Sequence, residues 1–554
     1  MCASRDVRAT WERSRNVLVV VRTLTDLSRM GDVLPALDAD ARLGLHWVVN
    51  EGSQFADQLH RRLGELEVRL LTWEEACRRR FDLIVAAHSD GALGELDGPV
   101  ATMAHGTGYN RKVLWRTGDP DAPVGISTNE LRRDGRSVAA AIGLSCEHQM
   151  EQLFRSDPES VPLAFQMGDP TWDRMLANQG NAAAFRRELG IAPDQTLVGV
   201  SSTWGPHSAF GRDSLLVERI LACLPRDEYR VVLVLHPNIW TYHGGYSVRG
   251  VLGDAIESGL VTVLPTSDWP AVLIAVDVFI GDHGSVSVYA AALGRPFLLT
   301  GVGENELVKG STTLEFVRQA TKLDHTLDLR TQLQAAATDA NVVRAARLAM
   351  DNTGKSLQLL QAKFYELLGL GLPVRIPHPR RYRPLRLERD DIGLTAAHCR
   401  TTLTVQDDCE VTVVVERFPA VLADRRADPT DEAEYVLVVD ERETAQVLKE
   451  NAEVRLCTVD KTETVAWDWI DRVVRESPCF LAASVCGPDI FLGTRAGGRW
   501  CARAAAAIEP GVVAAAVYRL LVEEGCALTT PAIHLGERRV PVRVSRPASH
   551  LADP

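Results

Sequence analysis

Residues 276–299 read VDVFIGDHGSVSVYAAALGRPFLL, and this stretch indicates the fold class more clearly than any other part of the chain. An apolar run rich in Val, Ile and Phe ends in a small polar loop, residues 281–285, and an Ala-rich run with a helical pattern follows. Gly294 and Pro296 then precede a second apolar run. The pattern predicts a strand–loop–helix–strand unit of the kind that builds parallel sheets.

The loop of this unit is a candidate anion site. It places small residues and the hydroxyl of Ser285 where the helix begins, and free backbone N–H groups and the helix dipole attract negative charge there. Ser285 is equally suited to be the N-cap, in which case the loop only starts a helix. Since Gly/Ser turns before helices are common, the loop alone leaves both interpretations open.

The same rhythm of strands and helices extends over most of the chain. We expect a first Rossmann-type domain at residues 1–178 and a second at 179–370, closed by a helix-rich stretch at about 335–368. The predicted strands are NVLVVVR, GLHWVVN, LEVRLL, FDLIVAAH and GPVATMAHG in the first domain, and TLVGVSS, RVVLVLHP, LVTVLP, VDVFIGD and PFLLTG in the second.

A linker and a third domain are predicted after the second domain. Residues 371–389 contain four prolines and six arginines, a composition that resists regular structure. We favour a solvated linker packed on acidic neighbours over an anion-binding segment. Residues 390–554 are predicted to form an α/β (α+β) domain, in which no motif indicates a function.

Composition limits the classes of function. The 554 residues carry a formal net charge of −12, which argues against general nucleic-acid binding. No run reaches the apolar length of a membrane span, and the apolar run after the polar N-terminus is too short for a signal peptide. The 11 cysteines include no Cys-x-x-Cys pair, so free thiols are expected and zinc is not. These features predict a cytoplasmic protein.

Four polar segments follow predicted strands, where tandem α/β domains place their ligands. They are HGTG (105–108), SSTWG (201–205), HPN (236–238) and the loop 281–285. Imidazoles, hydroxyls and backbone N–H groups can offset the charge of a leaving diphosphate without a metal. A histidine can also remove the proton of an attacking hydroxyl. The two Asp-x-Asp sequences, 38–40 and 119–121, are weak evidence for a metal site.

Five motifs in one order resemble a known family. They are HGTGYNRK (105–112), GDPTWDRML (168–176), FRRELGIAPDQTLVGVSSTWG (185–205), LHPN (235–238) and DWPAVLIAVDVFIGDHGSVSVYAAALGRPFLL (268–299). Together they are similar to the CDP-glycerol glycerophosphotransferases, the teichoic-acid polymerase type of GT-B enzyme. The family pattern is approximately His-Gly-Thr-Pro-Leu-Lys, Gly-x-Pro-Arg-x-Asp-x-Leu, Pro-Thr-Trp-Arg, His-Pro, and Thr-Asp-Tyr-Ser-Ser-Val before Gly-x-Pro.

The resemblance implies a GT-B fold with the active site between two domains, the first on the acceptor side and the second holding the donor. It implies metal-independent transfer of glycerol phosphate from a CDP-activated donor to a hydroxyl acceptor, as in the synthesis of cell-envelope polymers, without a cofactor. His105 and His236 are the implied catalytic residues, the first as base and the second at the donor diphosphate. The other implied positions are Ser285, Gly284, His283 and Thr203 at the donor phosphates, and Thr107, Trp204, Asp282 and Asp173 elsewhere in the cleft. A carboxylate is a poor neighbour for phosphate, so we assign Asp282 to shaping its loop.

The departures from the family pattern bear on the donor. Gly205 and Thr171 replace two arginines, and His283-Gly284 replaces Tyr-Ser, although a protonated His283 could restore some positive charge. The stretch 287–289 lacks a carboxylate for the donor ribose.

Three alternatives follow from these departures: a nucleotide-sugar glycosyltransferase, a UDP-sugar 2-epimerase-like enzyme, and an inactive transferase-like binding or scaffold protein. The epimerases have a similar loop followed by Glu-Glu, where this chain has Val288-Tyr289. Basic helices that would face a membrane are not evident, so a soluble acceptor and a peripheral membrane contact both stay open.

Overall fold

The computed structural model describes residues 13–38, 40–50, 55–390, 392–405, 411–426, 434–523 and 531–547. The polar N-terminal residues 1–12 and three of the cysteines, Cys2, Cys409 and Cys526, lie outside these ranges. The eight cysteines within them are free thiols. Among the described helices, none is both long enough and apolar enough to cross a membrane.

The first sheet has seven parallel strands in the order β3-β2-β1-β4-β5-β6-β7. Both faces of such a sheet are covered by helices, which explains why its central strands are continuously apolar and buried. The strands are β1 (Arg15–Val21), β2 (Leu43–Val49), β3 (Leu70–Leu71), β4 (Leu83–Ala86), β5 (Val100–Met103), β6 (Ala141–Leu144) and β7 (Ala164–Gln166). The helices are α1 (Leu24–Val33), α2 (Ala56–Glu65), α3 (Trp73–Cys77), α4 (Leu114–Thr117), α5 (Thr128–Leu131), α6 (Glu147–Ser156) and α7 (Pro170–Asn178).

The second sheet has six strands in the order β12-β11-β8-β9-β10-β13, all parallel except the last. The strands are β8 (Thr196–Ser202), β9 (Tyr229–Leu235), β10 (Val261–Val263), β11 (Val278–Gly281), β12 (Phe297–Leu299) and β13 (Leu387–Glu388). The helices are α8 (Ala182–Glu188), α9 (Ala209–Arg212), α10 (Leu216–Cys223), α11 (Pro237–His243), α12 (Gly245–Val251), α13 (Gly253–Glu257), α14 (Pro270–Ala275), α15 (Ser285–Ala292), α16 (Thr312–Gln319), α17 (Leu329–Ala335) and α18 (Ala340–Arg347).

The segment after the second sheet returns to the first domain. Helix α19 (Ser356–Leu368) buries Leu360 and Phe364 in the core of the first sheet, whereas the sequence pattern placed it with the second. The helical pattern gives the apolar face but not the sheet that the face covers.

The Pro/Arg-rich linker then packs on both domains. Its end supplies β13, and Arg380 and Arg386 pair with Asp38 and Glu65 of the first domain. These contacts match the interpretation of a linker packed on acidic neighbours.

The C-terminal strands form a closed barrel of mixed parallel and antiparallel pairs, in the order β14-β15-β21-β22-β20-β19-β18-β17-β16. Helix α22 lies against several of these strands, and its residues 512–516 are completely buried because the helix is apolar on every side. The strands are β14 (Ala396–Val405), β15 (Val411–Pro419), β16 (Tyr435–Asp440), β17 (Val454–Cys457), β18 (Leu481–Cys486), β19 (Asp489–Thr494), β20 (Arg499–Ala504), β21 (Ala532–Leu535) and β22 (Arg538–Ser545). The helices are α20 (Gln446–Asn451), α21 (Glu463–Glu476) and α22 (Pro510–Val522).

Candidate active site

The carboxyl ends of the two parallel sheets meet in one cleft. The loop after β5 contacts the loop after β11, where the Ser285 Oγ accepts hydrogen bonds from the Thr107 N–H at 3.3 Å and from the Thr107 hydroxyl at 3.1 Å. Nearby, the Lys112 N–H donates to the Glu306 carbonyl oxygen at 2.8 Å, and the Val308 N–H donates to the Asn110 carbonyl oxygen at 2.9 Å. The loops that follow β5, β11 and β12 therefore border one space. The chain thus has a pair of Rossmann-type domains that face each other across a cleft, followed by a third domain.

His105 lies at the first-domain side of this cleft with its ring paired to a buried carboxylate. Its Nδ1 is 2.9 Å from Asp26 Oδ1, and 44% of its side chain is exposed while that of Asp26 is fully buried. A carboxylate can only accept a hydrogen bond, so Nδ1 carries the proton and Nε2 keeps a free lone pair. The arrangement leaves His105 with a basic nitrogen that solvent and ligands can reach.

Asp26 is held in place by the start of helix α1. Thr23 and Asp26 form a capping box, in which the Asp26 carboxylate accepts the N–H groups of Arg22 and Thr23, each at 3.0 Å. The same carboxylate lies 3.2 Å from Nδ1 of His88. Burial alone would raise the pKa of Asp26, but its attraction to His88 and the hydrogen bond from His105 hold that pKa well below its usual range. Asp26 is therefore an anion shared by two imidazoles.

His236 has the opposite hydrogen-bonding pattern. It is the N-cap of helix α11, and its Nδ1 accepts the N–H of Asn238 at 3.1 Å. Burial, together with the nearby charges of His105 and Arg111, lowers the pKa of His236 to about 3. The ring is therefore neutral at pH 7, with its proton on Nε2, and can donate a hydrogen bond but cannot act as a base at Nδ1.

Helix α15 begins one residue earlier than an N-cap at Ser285 would place it. Gly284 is the N-cap and Ser285 is the first helical residue, so the Ser285 hydroxyl is free to bind outward, where it meets Thr107. The approach is close: a Cβ on Gly106 would lie 2.6 Å from the Ser285 Oγ. Gly106 also has a φ of 65°, which favours glycine. The first domain thus rests directly on the helix start.

Asp282 organises the loops around that helix start. Its carboxylate is fully buried and accepts the N–H groups of Thr203 at 2.8 Å, of Ala209 at 2.9 Å and of Gly284 at 2.9 Å. Burial raises the pKa of Asp282, and the three N–H groups act against this rise. The contacts hold the loop after β8 beside the loop after β11, and Thr203 packs against Gly284.

Arg111, to which the sequence analysis gave no role, supplies a cation at the cleft. Its guanidinium carbon lies 4.4 Å from the centre of the Trp204 ring, and its Nη2 forms an ion pair with Glu306. A Cβ on Gly205 would lie 3.6 Å from the Arg111 Nη2. Arg111, which comes from the first domain, therefore lies beside Gly205 of the second.

Two residues predicted for the site have side chains with other partners. The His283 side chain is fully buried, with its Nε2 3.5 Å from the Glu306 carboxylate that also pairs with Arg111, so the ring is not exposed to a ligand in the cleft. His283 and Arg111 lower the pKa of Glu306.

Asp173 binds the start of helix α19, where it accepts the N–H groups of Gly354 at 2.6 Å and Ser356 at 3.0 Å. Asp173 joins the returning helix to α7 and does not reach the cleft.

Trp204 completes the group that the structure brings together. Its ring centre lies 6.5 Å from that of His236, with the two rings tilted by 54°, and Arg111 lies over the Trp204 ring, so Trp204 neighbours both residues. Within the described ranges, no group of three or more His, Cys, Asp or Glu side chains is arranged to hold a metal ion.

Comparisons with known proteins find similar structures but no similar sequence. No protein-family model matches the sequence, and no curated protein matches it. The wall teichoic acid polymerase TagF is 13% identical, with 65% of this chain and 90% of that chain covered and a TM-score of 0.42. MnaA of S. aureus, solved with UDP, is 14% identical, with coverage of 66% and 100% and a TM-score of 0.40. The UDP-GlcNAc 2-epimerase of Methanocaldococcus jannaschii is 13% identical, with coverage of 63% and 99% and a TM-score of 0.39.

Proposed function

We propose that the chain is a GT-B transferase that cleaves a nucleotide-diphosphate donor and passes the activated group to a hydroxyl acceptor. The observation that carries this proposal is the opposite polarity of two histidines at one cleft. His105 presents a basic Nε2 and has a carboxylate behind it, while His236 presents a neutral Nε2–H. A base on one side and a hydrogen-bond donor on the other suit acceptor deprotonation and leaving-group stabilisation.

The donor that we propose is CDP-glycerol, on the strength of the five-motif resemblance. The acceptor oxygen attacks the phosphorus that carries the glycerol, and its proton passes to His105 Nε2. The bond between that phosphorus and the bridging oxygen breaks, and CMP leaves with the electron pair. Asp26 stabilises the imidazolium that His105 becomes, and the His236 Nε2–H donates to the departing phosphate.

Further groups of the cleft support a diphosphate at this place. The start of helix α15 offers the Ser285 hydroxyl and the positive end of the helix dipole. Arg111 adds a mobile cation, because its Glu306 partner can be exchanged for a phosphate. In this proposal the second domain holds the donor and the first domain holds the acceptor, and the reaction needs neither a metal nor a cofactor.

The same proposal places the reaction in the cytoplasm. A nucleotide-activated donor and eight free thiols fit the reducing cytoplasm. The acceptor is a hydroxyl on the growing end of an envelope polymer. The protein binds this acceptor either in solution or at the membrane surface.

The test is release of CMP from CDP-glycerol by the purified protein, with and without a glycerol-phosphate-terminated acceptor. We expect acceptor-dependent CMP release that persists in EDTA and is lost in His105→Asn. Turnover of a UDP-sugar in place of CDP-glycerol would move the function to the nucleotide-sugar glycosyltransferase or epimerase alternatives.

A non-catalytic binding protein is the second candidate, and one observation favours it. Thr107 donates hydrogen bonds to the Ser285 hydroxyl oxygen, so that oxygen already has partners. Backbone hydrogen bonds also join residues 110–112 to 306–308 across the cleft. A donor must displace these contacts. Tight nucleotide binding without turnover of any donor would favour this candidate over the enzyme.

A further inference from the structure

A buried hydrogen-bonded bridge joins helix α1 of the first domain to helix α15 of the second. The Tyr289 hydroxyl on α15 donates to Asp169 Oδ2 at 2.6 Å, and the Arg29 Nη1 on α1 donates to Asp169 Oδ1 at 2.7 Å. Asp169 is the N-cap of α7, and all three side chains are buried. One carboxylate therefore connects a residue of each domain.

The bridge lies one helical turn behind the cleft on both sides. On α1, Arg29 follows Asp26, the partner of His105, by three residues. On α15, Tyr289 follows Ser285 by four residues. Residues three or four apart lie on the same face of a helix. The helix that supports the proposed base and the helix that begins at the proposed phosphate site are thus joined just behind these groups.

Helix α7 is also the place where the chain passes between the domains. The chain leaves the first sheet at β7 and reaches the second domain through α7. On its return, residues 354–356 bind Asp173 of α7 before α19 enters the first domain. The linker makes the third crossing, and there Arg174 of α7 donates to the carbonyl oxygens of Arg380 and Arg381, both at 3.0 Å. Since all three crossings contact α7, a change of the angle between the domains is expected to turn about this helix.

The charges of the bridge hold its members together. Burial alone would lower the pKa of Arg29, but the Asp169 carboxylate beside it holds that pKa above its usual value. Burial and the charge of Asp169 raise the pKa of Tyr289, so its hydroxyl keeps the proton that it donates. The buried Nε and Nη2 of Arg29 have no hydrogen-bond partner among the described residues. Because a buried ion without its partner is costly, Asp169 is held firmly against Arg29.

We propose that Tyr289 and Arg29 are positioning residues, which hold α15 against α1 through Asp169 and thereby fix the distance between Ser285 and His105. Both are buried, so they act through the helices to which they belong and not on a ligand. Their effect on the reaction rests on the function proposed above, whereas the joining of the two domains does not.

The first experiment is hydrogen exchange, measured by mass spectrometry on the full chain and on Tyr289→Phe. This variant removes the hydroxyl and keeps the ring beside Trp269. The probes are the N–H groups of Thr107, Lys112 and Val308, each of which donates to the opposite domain. We expect these three amides to exchange about tenfold faster in the variant, because a hydrogen bond to a charged group is lost.

The matched control is Tyr365→Phe. The Tyr365 hydroxyl donates to Asp40 Oδ2 at 2.6 Å, which is an equivalent bond within the first domain. In this control the three amides should exchange at the wild-type rate. Unchanged exchange in Tyr289→Phe, or equal acceleration in both variants, would overturn the proposal. If Tyr289→Phe does not fold, Arg29→Lys takes its place, with the same expectation and the same two contrary outcomes.

The second experiment measures turnover of CDP-glycerol by the same proteins. Tyr289→Phe should lower kcat about tenfold and leave the donor Kd within about twofold of wild type, because each domain still binds its substrate but the two are misplaced. A wild-type kcat in Tyr289→Phe would contradict the positioning role. No turnover by the wild-type protein would contradict the proposed function alone, since the exchange experiment decides on the bridge.

Discussion

His105 and His236 each follow a parallel strand, one in each Rossmann-type domain, and the structure gives their rings opposite hydrogen-bonding patterns. The Nδ1 of His105 donates to a buried carboxylate, and the Nδ1 of His236 accepts a backbone N–H. The partner of Nδ1 therefore sets which nitrogen carries the proton, and with it whether the free Nε2 takes or gives a hydrogen bond. The two histidines differ because of their neighbours and not because of their place in the motif.

The surroundings strengthen this difference. Asp26 has a low pKa and stabilises a positive charge on His105, whereas burial, with smaller contributions from His105 and Arg111, lowers the pKa of His236. In the proposed function, the first-domain side of the cleft receives a proton. The second-domain side holds negative charge with neutral donors, together with Arg111.

The largest expected effect is on the base. His105→Asn keeps a side-chain N–H for Asp26 but has no basic nitrogen, so CMP release should fall about 10³-fold with the donor Kd unchanged. The matched control is His60→Ala, an exposed histidine on α2, which should leave the rate unchanged. A rate for His105→Asn within threefold of wild type would remove His105 from the reaction.

The next effect is on the orientation of that base. Asp26→Asn removes the anion behind His105, and CMP release should fall roughly a hundredfold, again without loss of donor affinity. Stability should fall by about 1 kcal/mol because the cap of α1 is weakened. Asp57→Asn, an exposed acid in the first turn of α2, is the control. Wild-type turnover in a correctly folded Asp26→Asn protein would show that the carboxylate is only a helix cap.

Substitution of His236, the histidine of the second domain, should weaken donor binding. His236→Asn keeps the cap on α11, since Asn is a good N-cap, and it removes the Nε2–H. Calorimetry should show donor affinity weakened about tenfold to a hundredfold. His243→Ala, at the exposed end of the same helix, should bind as wild type does. A pure kcat effect in His236→Asn would place this ring on the reacting hydroxyl and not on the diphosphate.

Arg111 should contribute less, because Glu306 already pairs with it. Arg111→Met keeps the stem over Trp204 and removes the charge, and donor affinity should fall about tenfold. Arg136→Met, on an exposed hairpin of the first domain, is the control. Unchanged affinity in Arg111→Met would show that the cation only holds the domains together.

The smallest effect concerns stability against pH. Unfolded histidine has a pKa of about 6.5, and the folded His236 has one of about 3. Between these values the unfolded chain takes up a proton that the folded chain does not, so the free energy of unfolding falls as the pH is lowered from about 6.5. Denaturant unfolding between pH 7 and pH 4 should show a shallower fall for His236→Asn than for wild type. Parallel curves would mean that His236 is protonated in the folded protein.

The sequence predicted the polar segments at the strand ends because parallel strands bring their carboxyl ends to one edge. It could not predict their partners, which come from distant parts of the chain. Asp26 is separated from His105 by 79 residues and Arg111 from Glu306 by 195. A signal for Asp26 was present in the capping box that follows β1, but a capping box alone indicates only a helix start.

The contacts of Asp173 and His283 and the closure of the barrel could not be predicted either, because they also depend on distant parts of the chain. Asp173 matches a family motif, yet its carboxylate binds the start of α19, a helix whose return to the first domain no local pattern reveals. His283 stands in the loop of the cleft, but its ring is buried against Glu306. In the C-terminal part, strands were predicted one by one, and only pairing between distant strands closes the barrel.

The most direct test of the two-sided cleft is calorimetric titration of CDP-glycerol into three proteins: wild type, His105→Asn and His236→Asn. The proposed function predicts that wild type and His105→Asn bind with similar affinity, while His236→Asn binds at least tenfold more weakly. Equal weakening in both variants, or no binding to the wild-type protein, would contradict the division of the cleft into a proton-accepting side and a donor-binding side.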